Sequence, residues 1–139
     1  LVLPCLPYTD YLIINELEAG KLADMEPKDE NLIAIARKLK DLGVRKKVII
    51  HMPHCSVCCS DTGISVLGSY VLPDGYIQGT TGAGDAFCAG MLYAIHEEYP
   101  IEDALRFANA SANFNLSNAT STGGAPTLQQ IQEFLKKNL

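Results

Sequence analysis

The residues best suited to chemistry lie in Gly79-Thr80-Thr81-Gly82-Ala83-Gly84-Asp85-Ala86-Phe87. Two glycines flank one alanine just where an apolar helical pattern begins. Glycine lets the backbone turn tightly and approach a ligand closely. The first N–H groups of a helix lack internal acceptors, and with the helix dipole they make an anion site. Phosphoryl transfer concentrates negative charge on the moving group, and fixed N–H donors at that point stabilise it. Asp85 sits at the same helix end and can take the proton of an attacking hydroxyl as general base. Taken alone, Gly82 to Asp85 fit equally well a glycine-rich turn capped by an aspartate, because short motifs match by chance. No Gly-Lys-Ser/Thr follows, so this is not a Walker A loop, and it is not GxGxxG after a strand.

Several elements must hold that turn. Asp10 to Asn15 is a short apolar run with β-formers, read as a buried strand. Asn15 is then an N-cap, with Glu16 and Glu18 in the first turn of a short helix, where acidic residues suit the dipole. Pro27 is placed at the start of a second helix that runs to about Leu42, with Gly43 as its C′ residue. Val48-Ile49-Ile50 is the next buried strand, which makes a strand–helix–strand crossover. Gly63 to Leu72 is read as a hairpin of two short strands. From Gly82 a helix apolar on most sides is expected, then a helix over Ile101 to about Leu116 with Ala104, Leu105, Ala108, Ala112 and Leu116 inward. Thr127 caps a last amphipathic helix with Ile131, Phe134 and Leu135 inward. The alternation implies an α/β fold with a mostly parallel sheet flanked by helices.

With 139 residues, 47% of them hydrophobic and 19% charged, the chain can form one domain with a real core. The net charge of −5 argues against sequence-independent nucleic-acid binding, and no apolar run approaches a membrane span. Leu1 to Pro7 lacks a basic n-region and does not read as a signal peptide. Without an initiating Met, the chain reads as the continuation of a longer polypeptide. Five cysteines without a secretory signal point to reduced thiols in a cytoplasm.

The longer string Thr80 to Phe87, with Ala89-Gly90, closely resembles the second signature of the PfkB/ribokinase family of carbohydrate kinases. Asn15-Glu16-Leu17-Glu18 resembles the family's Asn-x-x-Glu motif. Arg106 to Ala110 and Gly123 to Thr127 resemble its helix and loop beside the adenine. The resemblance runs from about Asp10 to Leu139 and implies a ribokinase-like fold, of which residues 1–139 are the C-terminal, nucleotide-binding part. It implies ATP-dependent phosphorylation of a hydroxyl on a small sugar or sugar derivative, with Asp85 as base. The amides of Gly82, Ala83, Gly84 and Asp85 would form the anion hole. Asn15, Glu18, Thr81, Gly84 and Asn109 would bind the cofactor ATP, with Asn109 near the adenine. Glu18 would hold Mg²⁺ through water.

Gly79 stands where the family often has Asp, so a monovalent cation is doubtful, although backbone carbonyls could still bind one. The loop His51-Met52-Pro53-His54 lacks the family's glycine turn, so no nucleotide contacts are assigned to it. The family's sugar-binding N-terminal half and lid are absent from these residues. The resemblance makes that half the missing partner, with a homodimer expected for the complete protein and no activity for this stretch alone. Alternatives are a nucleoside or vitamin kinase of the same family, or a non-catalytic nucleotide-binding module.

Other clusters read more simply. His51, His54, Cys55, Cys58 and Cys59 could hold zinc, but a hairpin loop with packed thiols is preferred. Cys88 reads as core packing in place of a reactive thiol. Asp24, Glu26, Asp29 and Glu30 read as a solvated helix start, and His96, Glu97 and Glu98 as a solvated helix end.

Overall fold

A computed structural model describes residues 2–138. They form two compact units, 2–68 and 69–138. Among the described residues, no helix is long and apolar enough to cross a membrane.

In the first unit, strand β1 (Tyr11–Asn15) leads into helix α1 (Glu16–Ala23), helix α2 (Leu32–Asp41) and strand β2 (Lys47–His51). β1 and β2 pair in parallel, with Leu12 opposite Val48 and Ile14 opposite Ile50. That is the expected crossover. Strands β3 (Cys55–Ser60) and β4 (Gly63–Gly68) then add antiparallel neighbours in the order β1-β2-β3-β4. The sheet is therefore mixed, with one parallel pairing and two antiparallel ones, where a mostly parallel sheet was expected.

Two further expectations are corrected in this unit. The cysteine segment is not a loop but strand β3, and residues 69–72 lie outside any strand. Ser and Cys are weak strand signals, but β3 is bonded on both sides, so pairing decides. Alternation sends Val57 and Cys59 into the core beneath α1 and α2, with Val48, Ile50, Leu32, Ile35 and Leu39. Cys58 and Ile49 are buried on the opposite face. The second correction concerns Pro27. It packs against Gly20 of α1, and Lys28 is extended, so α2 starts only at Leu32 after a 3-10 turn.

The second unit contains helices α3 (Ala83–His96), α4 (Ile101–Leu116) and α5 (Leu128–Lys137). A Cβ on Gly90 of α3 would lie 2.9 Å from the Ser111 Cβ and 3.0 Å from the Ala108 Cα of α4, so glycine sets how closely the helices approach. α3 buries one face (Phe87, Gly90, Met91 and Ala94), while Leu92 is 49% exposed. It is thus less enclosed than its composition suggested. Tyr93 stacks on Phe107 at 5.1 Å. On α4, Ala104, Leu105 and Ala108 are buried as expected, while Ala112 and Leu116 are half-buried. Thr127 caps α5 through a capping box with Gln130, and of its expected inward residues Ile131 is the buried one.

Two predictions concern this packing. Gly90→Val should overpack the α3–α4 contact and cost about 1–3 kcal/mol. A denaturation midpoint unchanged from wild type would contradict the close approach. Burial pushes the Cys58 thiol up to about 11, so at pH 8.5 iodoacetamide should label exposed Cys5 well before Cys58. Equal labelling rates by peptide mass spectrometry would contradict the buried strand.

Candidate active site

The turn before α3 is built by an unusually close backbone approach. Gly82, the N-cap of α3, has φ of +83°. A side chain there would be strained, and its Cβ would overlap the Ser121 carbonyl oxygen. A Cβ on Gly79 would sit 3.0 Å from the Ala119 Cα and 3.1 Å from the Asn118 oxygen. One on Gly124 would sit 2.6 Å from the Phe114 oxygen. The loop 117–124 after α4 is thus laid against the turn 78–82. The Gln78 N–H donates to the Leu116 oxygen at 2.8 Å, and Asn115 Nδ2 donates to the Thr81 oxygen at 3.0 Å. The loop holds its own shape as well. Asn118 Oδ1 accepts from the Thr120 N–H and hydroxyl, and the Thr120 hydroxyl oxygen accepts from the Gly123 N–H.

The donors at this end divide in two. The Ala83 N–H donates to the Thr80 oxygen at 3.3 Å, so it is turned into the loop. Ala86 N–H makes the first helical bond, to the Gly82 oxygen at 2.9 Å. The N–H groups of Gly82, Gly84 and Asp85 have no protein acceptor among the described residues. Three of the four expected amides are therefore available at the positive end of a 14-residue helix. Asp85 is exposed at the third helical position. One turn further on, burial and the Asp85 carboxylate raise the Cys88 thiol, which makes it a poor nucleophile.

Asn109 is buried in the middle of α4. One turn later on the same face, Asn113 is 6% exposed and its Nδ2 has no hydrogen-bond partner. Asn113 and Asn115 were not singled out from the sequence. Their signal was present, since asparagines at 109, 113 and 115 are poor choices for the interior of a helix.

Asn15 and Glu18 lie in the first unit, at the β1–α1 junction. There they form a capping box. Asn15 Oδ1 accepts from the Glu18 N–H at 2.9 Å, and Glu18 Oε2 accepts from the Asn15 N–H at 3.1 Å. This orients the exposed Glu18 carboxylate over the helix start and leaves Oε1 for another partner.

The histidine–cysteine cluster is dispersed by its strand. Cys58 and Cys59 point to opposite faces, and burial raises both thiols, which disfavours the thiolate that zinc needs. His54 pairs with Asp29 at 2.7 Å, and Glu26 with Lys28 at 2.6 Å, so the acidic patch is partly engaged.

The family model for the pfkB family carbohydrate kinases matches residues 2–128. The chain belongs to the pfkB family of carbohydrate kinases. Within that family, it is 31% identical over 103 residues to a 5-dehydro-2-deoxygluconokinase of Geobacillus kaustophilus (strain HTA426), a match covering 74% of this chain and 30% of that protein. It is 31% identical over 130 residues to a ribokinase of Haemophilus influenzae, covering 91% of this chain and 41% of that protein. The ribokinase of Arabidopsis thaliana, solved with ribose and ATP, matches with a TM-score of 0.84 and 27% identity, over 96% of this chain and 43% of that one. The fold is thus ribokinase-like, and this pfkB-family chain spans less than half the length of these relatives.

Gly82→Ala tests the turn directly. A left-handed alanine costs about 1–2 kcal/mol before any overlap with Ser121. We expect a stability loss of at least about 1 kcal/mol by denaturant titration of the full-length protein. An unchanged midpoint would show that the turn does not need this conformation.

Proposed function

We propose that this chain is the nucleotide-binding part of an ATP-dependent kinase that phosphorylates a hydroxyl of a small sugar or sugar derivative. The observation that carries the reading is the pairing of three unshared helix N-terminal amides, at Gly82, Gly84 and Asp85, with the exposed Asp85 carboxylate. Those amides fit a phosphoryl group. They are neutral donors at a helix dipole, so they need no basic side chain, in keeping with the net charge of −5. When bound, ATP supplies the γ-phosphoryl group to be transferred.

Each residue then has one task. Asp85 would accept the proton of the attacking hydroxyl as its oxygen bonds to the γ-phosphorus and the bond from that phosphorus to the departing ADP breaks. The amides of Gly82, Gly84 and Asp85 donate to the phosphoryl oxygens, where charge gathers. Ala83 is the weaker member of the expected set, because its N–H is shared with Thr80. Thr81 belongs to the same turn and borders the phosphates. Asn109 is assigned to the adenine, with the unpaired Nδ2 of Asn113 as a further donor on that face.

Asn15 and Glu18 are assigned to Mg²⁺ and the ATP phosphates. Glu18 fits contact through water: one oxygen is held by the capping box, the other is available, and Mg²⁺ commonly keeps several waters. Among the described residues, no three His, Cys, Asp or Glu groups are gathered to hold a metal directly. A monovalent cation is not part of the proposal, since Gly79 offers no side-chain oxygen.

The acceptor is assigned to residues of the complete protein beyond these 139, in a cytoplasmic enzyme that dimerises. The 30–43% of each relative that the chain spans supports placing the acceptor residues outside it. A panel of sugars, nucleosides and vitamin-like alcohols on the full-length protein separates the acceptor classes. Absence of turnover with all of them would favour a non-catalytic nucleotide-binding module.

The test of the base is Asp85→Asn in the full-length protein. We expect kcat to fall by about 10²–10⁴-fold with little change in ATP affinity. A kcat close to wild type would remove Asp85 from the role of base.

A further inference from the structure

We propose that Asn115 is a positioning residue, whose side-chain amide aims the first N–H of the anion turn by serving as the positive partner of the Thr81 oxygen. The inference rests on the proposed kinase reading only for its activity arm. Three consecutive carbonyls form the turn, and each has one donor. Thr80 oxygen accepts from the Ala83 N–H, and Gly82 oxygen from the Ala86 N–H. Only the middle one, Thr81, is held by a side chain, through Asn115 Nδ2 at 3.0 Å across 34 residues of sequence.

That middle carbonyl shares its peptide group with the Gly82 N–H. A peptide group is planar, so fixing the direction of the C=O fixes the opposite direction of the N–H. Donation to the carbonyl also polarises the N–H and strengthens it as a donor. The orientation of the Asn115 amide follows from chemistry, because a carbonyl oxygen can only accept and Nδ2 must face it.

Asn115 is itself fixed. It is 1% exposed, and Gly124 brings its backbone so close that a Cβ there would lie 2.8 Å from the Asn115 Cα. On the turn side, Gly79 contributes no carboxylate, and the loop crowds the space one would need. The positive partner for the Thr81 oxygen is therefore built into the protein.

The discriminating variant is Asn115→Asp in the full-length protein. It keeps the shape but sets two acceptors against each other, which then need a cation or a proton between them. Misaiming the Gly82 amide should lower kcat by about 10²-fold and leave the acceptor KM within about twofold. Potassium should restore at least about tenfold of that loss in the variant, while tetramethylammonium, too large to enter, should not. Wild-type activity should be the same in either salt.

Asn115→Ser, smaller and without a charge, guards against misfolding of the first variant. It should show the same loss of kcat without potassium rescue, and a clear change in the Gly82 amide NMR chemical shift, which reports the polarisation and orientation of the Thr81–Gly82 peptide. A kcat within twofold of wild type for both variants, or a wild type that itself requires potassium, would overturn the proposal. If the wild type transfers no phosphoryl group, the kinase reading falls and the Gly82 amide chemical shift decides the tether alone. An unmoved Gly82 resonance in Asn115→Ser would then overturn it.

Discussion

The candidate site depends on how closely one backbone segment lies on another. The loop after α4 rests on the turn before α3 at distances that leave no space for a side chain at position 82 and little at position 79, and at Gly124 it folds back just as closely on the end of α4. This contact forces Gly82 into a left-handed conformation, and that conformation starts α3 where it does. The helix start, in turn, frees the amides of Gly84 and Asp85 and presents the Asp85 carboxylate beside them. Glycine is needed here for contact, not for mobility. The approach of α3 to α4 at Gly90 follows the same principle.

The electrostatic design follows from that geometry. A net-negative protein can hold a polyanion where the local field is made by oriented dipoles. Backbone amides held by packing need no reorganisation when charge develops, and each such donor is commonly worth about 10²–10³ in rate. Asp85 would oppose an anion in any other setting. Under the proposed kinase reading it has a use beside three amides, which is to receive the proton of the attacking hydroxyl.

The sequence made some of this legible, and the reasons are physical. Helix α4 was readable to its ends because Pro100 precedes it and small apolar residues recur along it. The Thr127 cap was readable because a hydroxyl before an amphipathic run has few other uses. Strand β3 was not, because Cys55-Ser56-Val57-Cys58-Cys59-Ser60 carries little strand preference and is made a strand by its two neighbours. The start of α2 was misplaced because Pro27 suits a first helical turn as well as it suits the extended segment packed on Gly20. Asn15 was legible as a cap, while its role with Glu18 as ligands is a proposal. The hydrogen bonds between the two show the cap directly. Asn113 and Asn115 of α4 escaped notice because a sequence shows a polar residue in a helix without showing whether it is buried.

The central claim is that the amides at the start of α3 receive the transferred phosphoryl group. Backbone amide NMR of the full-length protein, titrated with ADP and aluminium fluoride as a mimic of that group, tests it most directly. The account predicts that the Gly82, Gly84 and Asp85 resonances shift together and strongly, beyond their response to ADP alone, with Ala83 shifting less. Binding of the mimic with those three resonances unmoved would contradict it.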